Sequence, residues 1–133
     1  AQHGITGTPL SLIKEKFPHG DITKGNVGTY WQNLVWQVLD ERKPGLMQKM
    51  REWVFAAYGE EARAKGIASD DEVFGKYSKK AHKQFFDELY AIDGETTAEI
   101  RSLCKEHALK FFDAFKSAGT AEKVRKHLNS LKQ

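Results

Sequence analysis

Cys104 and His107 lie three positions apart in the stretch SLCKEHALKFFDAF, which holds the chain's only cysteine. On an α-helix this spacing puts both side chains on one face. Two chemistries use such a pair. A thiolate nucleophile needs exposure, a base and a third group that orients the base. A zinc site needs further Cys, His or carboxylate ligands. No CxxC and no HExxH accompany the pair, and Leu103, Phe111, Phe112 and Phe115 surround it. The pattern therefore favours a small, buried, unreactive thiol at Cys104. His107 falls in the middle of the same apolar stripe. A buried imidazole must be hydrogen-bonded, because an unpaired one costs about 1–3 kcal/mol. Its partner is expected to be a protein group or the head group of a bound apolar molecule. Haem ligation would want a second histidine, and the spacing to His82 does not support one.

Other catalytic patterns are missing. The residues three before His82, His107 and His127 are Lys79, Cys104 and Val124, so the Glu-x-x-His motif of di-iron bundles does not occur there. There is no GxSxG elbow and no GxxxxGK[ST] phosphate loop. Neither the segment around Asp21 nor AIDGETT has the alternating acidic ligands of an EF-hand. The expectation is a non-enzymatic protein with no catalytic residue, no metal and no cofactor.

The aromatic residues say more. Eight Phe, four Tyr and three Trp include the adjacent pairs Tyr30-Trp31, Phe85-Phe86 and Phe111-Phe112. Neighbours in a helix point about 100° apart. One member of a pair can face the core while the other faces a second helix or a groove. Trp36 likewise falls off the main stripe of its helix. Such a distribution fits wide-stripe core packing, an apolar cavity, or an exposed contact surface. The ligand-lining candidates are His107, Phe111, Phe112, Phe85, Trp53 and Tyr77.

The elements that must position these residues are all helical. TPLSLIKEKF (8–17) reads as a short helix with Thr8 as N-cap, Pro9 in the first turn and Pro18 as terminator. The glycine-bearing stretch 18–28 reads as a loop. Thr29-Tyr30-Trp31-Gln32 matches a capping box. Trp31, Leu34, Val35, Val38 and Leu39 then follow the helical period, and Pro44-Gly45 closes that helix. A helix from near Leu46 to Gly66 carries Met47, Met50, Trp53, Val54, Ala57 and Tyr58. Ser69-Asp70-Asp71-Glu72 opens one helix running to about Asp93, with Val73, Phe74, Tyr77, Ala81, Phe85 and Leu89 inward. Thr96-Thr97-Ala98-Glu99 opens the helix of Cys104 and His107, which Gly119 ends. Thr120 caps a last short helix carrying Val124, Leu128 and Leu131. No segment shows the two-residue alternation of strands. The predicted fold is all-α: a single compact domain over 1–133, an irregular bundle of five to six helices. Residues 1–28 supply a short first helix and loop, and 29–133 the main core. Trp31, Leu34, Val38, Trp53, Phe74, Phe85, Leu103, Phe111 and Phe115 are expected in that core.

Bulk properties narrow the partners. Of 133 residues, 40% are hydrophobic and 29% charged, which suffices for a core without disulfides. The net charge of +3 is too modest to imply a concentrated basic face, so specific nucleic-acid binding is not expected. The Lys-rich stretches 76–83 and 123–132 read as solvated helix faces. No apolar run is long enough for a transmembrane helix. The chain begins at Ala1 without a signal peptide, and an extracellular setting is slightly favoured over the cytoplasm. The oligomeric state is left open.

The stretch FFDELYAIDGETTAEIRSLCKEH (85–107) resembles the tyrosine-rich and Cys-containing helices of the nematode polyprotein allergens. That resemblance implies a secreted all-α carrier of fatty acids and retinoids. The family's second cysteine is absent here, and no residue role is carried over. Three functions follow in order: a carrier of a fatty-acid- or retinoid-like molecule in an aromatic-lined interior; a helical interaction module or effector using exposed aromatics; and a basic amphipathic protein acting on membranes or nucleic acid. Only the last helix, with Lys123, Arg125, Lys126 and Lys132, suits the third.

Overall fold

A computed structural model describes residues 2–17 and 24–131. The chain is mostly helical, as the apolar periods predict. The helices are α1 (Leu10–Lys16), α2 (Thr29–Arg42), α3 (Pro44–Ala64), α4 (Asp70–Tyr77), α5 (Ala81–Gln84), α6 (Phe86–Tyr90), α7 (Gly94–Ala114) and α8 (Ala121–Ser130). Turns of 3-10 helix occupy Ile5–Gly7 and Ser78–Lys80. Pro18 and the loop residues through 23, including Asp21, lie outside the described residues, as does Lys132. No described helix is long and apolar enough to cross a membrane.

There are more helices than the five or six expected, and the surplus has one source. The segment expected as one helix from Ser69 to Asp93 is three helices, joined by the 3-10 turn and a break at Phe85. The apolar spacing of four at 77, 81, 85 and 89 explains this. On a straight helix each such step drifts by about 40°. Across the four positions the drift reaches about 120°, and the breaks at the 3-10 turn and at Phe85 bring Tyr77, Ala81 and Phe85 all into the core.

Helix starts also differ from expectation in instructive ways. Ser69 is an N-cap whose hydroxyl accepts from the Glu72 N–H at 3.3 Å. Thr29 is instead the first residue of α2. The next N–H, that of Tyr30, donates to Thr6 Oγ1 from the N-terminal turn. Thr96 lies inside α7, and Asp93 caps that helix. One Asp93 oxygen accepts the Thr96 N–H and the other its hydroxyl, both at 2.9 Å. Thr8 follows the first 3-10 turn, and Pro9 holds the cap position of α1. Pro44 opens α3 rather than closing α2, since a proline at the first helical position gives up no hydrogen bond. Thr120 precedes α8, but its hydroxyl donates to the Ser117 carbonyl instead of capping.

The residues gather into two compact units. One joins the N-terminal segment through Asn33 to the C-terminal segment from Arg101, and the other is Leu34–Ile100. In the second unit α3 packs on α4 and on the turn after it. Its core holds Trp36, Leu39, Met47, Met50, Val54, Ala62, Val73, Phe74, Tyr77, Ala81 and Phe85. The Trp36 indole, expected off the main stripe, is buried and donates to Ser78 Oγ at 3.3 Å. Arg51 binds both Asp40 oxygens and lies over the Phe74 ring, 4.7 Å from its centroid. In the first unit Ile5, Ile13, Phe111 and Ala114 form the core, with Leu10, Phe17, Val27, Tyr30, Trp31 and Phe115 packed against it. Of the expected core, Leu34, Val38, Phe74, Phe85 and Phe111 are buried, whereas Trp31, Trp53, Leu103 and Phe115 are only partly so.

Candidate functional site

His107 and Phe111 on α7, and Phe115 directly after it, recur every four residues in the first unit. The first turn of α2 meets this row. Tyr30 packs edge-on against Phe111 at 4.9 Å between centroids, and Trp31 lies 5.7 Å from the same ring. Phe17 approaches Phe115 edge-on at 5.5 Å. The result is a continuous aromatic cluster from the end of α1, the start of α2, and the last turns of α7 with the residue after it.

His107 is partly buried and its Nδ1 shares a 2.6 Å hydrogen bond with the Tyr30 hydroxyl. Of the two partners expected for this imidazole, the protein group is present. Cys104 is only half-buried, contrary to expectation, and belongs to neither core cluster. No hydrogen bond engages the Cys104 thiol among the described residues. His107 and Cys104 therefore share a helix face without the contact that activates a nucleophile. Among the described residues no three His, Cys, Asp or Glu side chains cluster as metal ligands.

Beside the aromatic cluster lies a cleft of about 430 Å³. Trp31, Phe111, Phe112 and Phe115 form its apolar floor, Ala108 leaves room on α7, and Lys24, Gly25, Val27 and Ser117 form the rim. Phe112 is half-exposed, so the cleft is open on that side. The 24–27 wall is tied to the N-terminus. Gln2 donates to the Lys24 carbonyl at 2.8 Å, and Asn26 donates to the Gln2 carbonyl at 2.9 Å. Gly25 is favoured by close approach. A Cβ there would stand 2.8 Å from Ile5 Cδ1 and 3.2 Å from Phe115 Cζ. The Lys24 ammonium has no ion-pair partner among the described residues, so a cation stands free at the mouth of an apolar cleft.

Of the six candidates named from sequence, Phe111 and Phe112 line this cleft, and His107 supports it through Tyr30. Phe85, Trp53 and Tyr77 belong to the second unit. Phe85 and Tyr77 are buried there, and Trp53 is partly exposed. The ring of His82 packs on Trp36 at 5.3 Å. Sequence reasoning missed Trp31, Phe115, Gly25 and Lys24 as lining residues. The adjacent pairs Tyr30-Trp31 and Phe111-Phe112 carried part of the signal, but nothing local placed residues 24–27 against α7.

Comparison with known protein families, characterised proteins and solved structures yields no match.

Proposed function

We propose that the protein binds a small apolar molecule with an acidic head group, of fatty-acid or retinoid type, in the aromatic cleft of the first unit. The observation that supports this reading is the pairing of the aromatic floor with Lys24 at its rim, which has no ion-pair partner among the described residues. The cleft volume falls within the ~300–1,000 Å³ common for small-ligand sites. Aromatic walls contribute apolar contact, and the ammonium fixes the orientation of a carboxylate. The test is titration with a dansyl-labelled fatty acid. Saturable binding is expected, weakened by Phe112→Ala and by Lys24→Gln. Lys24→Gln should leave binding of the corresponding fatty alcohol unchanged. Absence of saturable binding to the wild type overturns the reading.

A second reading rests on α6. Phe86 and Tyr90 are 61% and 84% exposed and stack at 5.8 Å, 17° from parallel. Such a solvent-facing aromatic pair suits a protein partner. Phe86→Ala/Tyr90→Ala would abolish binding to that partner while leaving the fatty-acid titration intact.

A further inference from the structure

A different chemistry is gathered in the second unit. Trp53 and Tyr58 of α3 form one wall of a surface pocket of about 570 Å³, and Lys79, Lys80, Lys83 and Gln84 form the other. The fold places all three lysines at this pocket. Ser78 and Ala81 are fully buried against the core, so the 3-10 turn and α5 turn Lys79, Lys80 and Lys83 outward. None of the three has an ion-pair partner among the described residues. Glu61, on the same helix as Tyr58, is already held by Lys65 and the Tyr77 hydroxyl. Three like charges lining one pocket, with no ion-pair partner among the described residues, repel one another, and an anion relieves that repulsion. The aromatic wall is equally particular. Tyr58 is stacked on Tyr77 at 5.0 Å and meets Trp53 edge-on at 5.9 Å, which fixes both rings in place.

We infer that this pocket binds a nucleotide, with its phosphates on Lys79, Lys80 and Lys83 and its base against Trp53 and Tyr58. Lysines supply point charges to phosphate oxygens. An aromatic face accepts any base by stacking, without sequence readout. A purely apolar ligand would leave the lysines unanswered, and a purely inorganic anion would leave the rings unanswered. The site is independent of the aromatic cleft and uses none of its residues.

The experiment is isothermal titration of the whole chain at low salt with ATP, inorganic tripolyphosphate and adenosine. ATP should saturate and weaken as salt rises, while tripolyphosphate and adenosine each bind at least about tenfold more weakly. The double variant Lys79→Gln/Lys83→Gln should lose at least about tenfold in ATP affinity with an unchanged helical circular dichroism spectrum, since both side chains are solvent-exposed. The control Lys123→Gln/Arg125→Gln on α8 should bind as wild type. The assignment is overturned by any of four results: no saturable ATP binding, tripolyphosphate binding as tight as ATP, equal losses in the double variant and the control, or a single-stranded oligonucleotide that binds where ATP does not.

Discussion

The Tyr30 hydroxyl and His107 Nδ1 share a 2.6 Å hydrogen bond across 77 positions of sequence. This bond ties the first turn of α2 to α7 at the edge of the aromatic cleft. Tyr30 also packs edge-on on Phe111, so its ring is held by both a polar and an apolar contact. Tyr30→Phe keeps the ring and deletes the hydroxyl. It should cost about 0.5–1.5 kcal/mol in a urea melt, the usual net worth of one such bond. His107→Leu should cost a similar amount, and the double variant less than the sum of the two. Strict additivity would show that the bond is not formed in solution.

Phe111 and Phe112 are chain neighbours with opposite tasks. Phe111 is buried and Phe112 is half-exposed in the cleft. Phe111→Ala should lower stability by about 3–5 kcal/mol. Phe112→Ala should cost under about 1 kcal/mol, in keeping with a solvent-facing site, yet weaken the fatty-acid probe. Equal losses of stability would mean that Phe112 is a core residue and the cleft is closed in solution.

Asp93 answers a separate question about α7. Its carboxyl is held well below the usual carboxylate range, first by Lys43 at 2.7 Å, then by the Thr96 N–H and hydroxyl. A depressed folded-state value means the stabilisation is full above the unfolded value of about 3.9 and is lost as pH falls below it. Asp93→Asn keeps an N-cap oxygen but removes the charge. It should be less stable than wild type at pH 7, with the gap closing as pH falls from about 4 toward 2. Asp93→Ala, which also loses the cap, should be weaker than Asp93→Asn across the range. Parallel pH profiles for wild type and Asp93→Asn would remove the charge from the account.

These residues also show where the sequence was readable. Ser69 was legible because its cap is satisfied within four residues. The Thr96 box fits the same pattern equally well. What decides there is Asp93, three residues earlier, which also pairs with Lys43 from a distant helix start. The all-α class followed from apolar periods that are themselves local. The cleft did not, because its rim at Lys24 and Gly25 is placed by pairing with Gln2 and by contact with Ile5 and Phe115. Trp36 fell off the periodic stripe, yet it is buried in the core, where Ser78 accepts its indole N–H. Apolar periods along a single helix were readable. Closures between distant segments were not.

The two long helices, α3 and α7, end alike. After α3, Gly66 at φ 77° donates to the Arg63 carbonyl and Ile67 to that of Ala62. After α7, Lys116 at φ 51° donates to Asp113 and Ser117 to Phe112 in the same pattern. This is the left-handed C-terminal motif that glycine normally fills. A side chain in that conformation costs about 1–2 kcal/mol, whereas a glycine there gives up roughly 0.5–1 kcal/mol in chain entropy. Lys116→Gly should therefore stabilise by about 0.5–1 kcal/mol. Gly66→Ala should destabilise by about 1 kcal/mol. Urea midpoints read both, and opposite signs are the expected result. Ser117 sits at the cleft rim directly after Lys116, so fatty-acid affinity should be unchanged in Lys116→Gly if the turn keeps its geometry. A loss of stability in Lys116→Gly would show that α7 does not end in this turn.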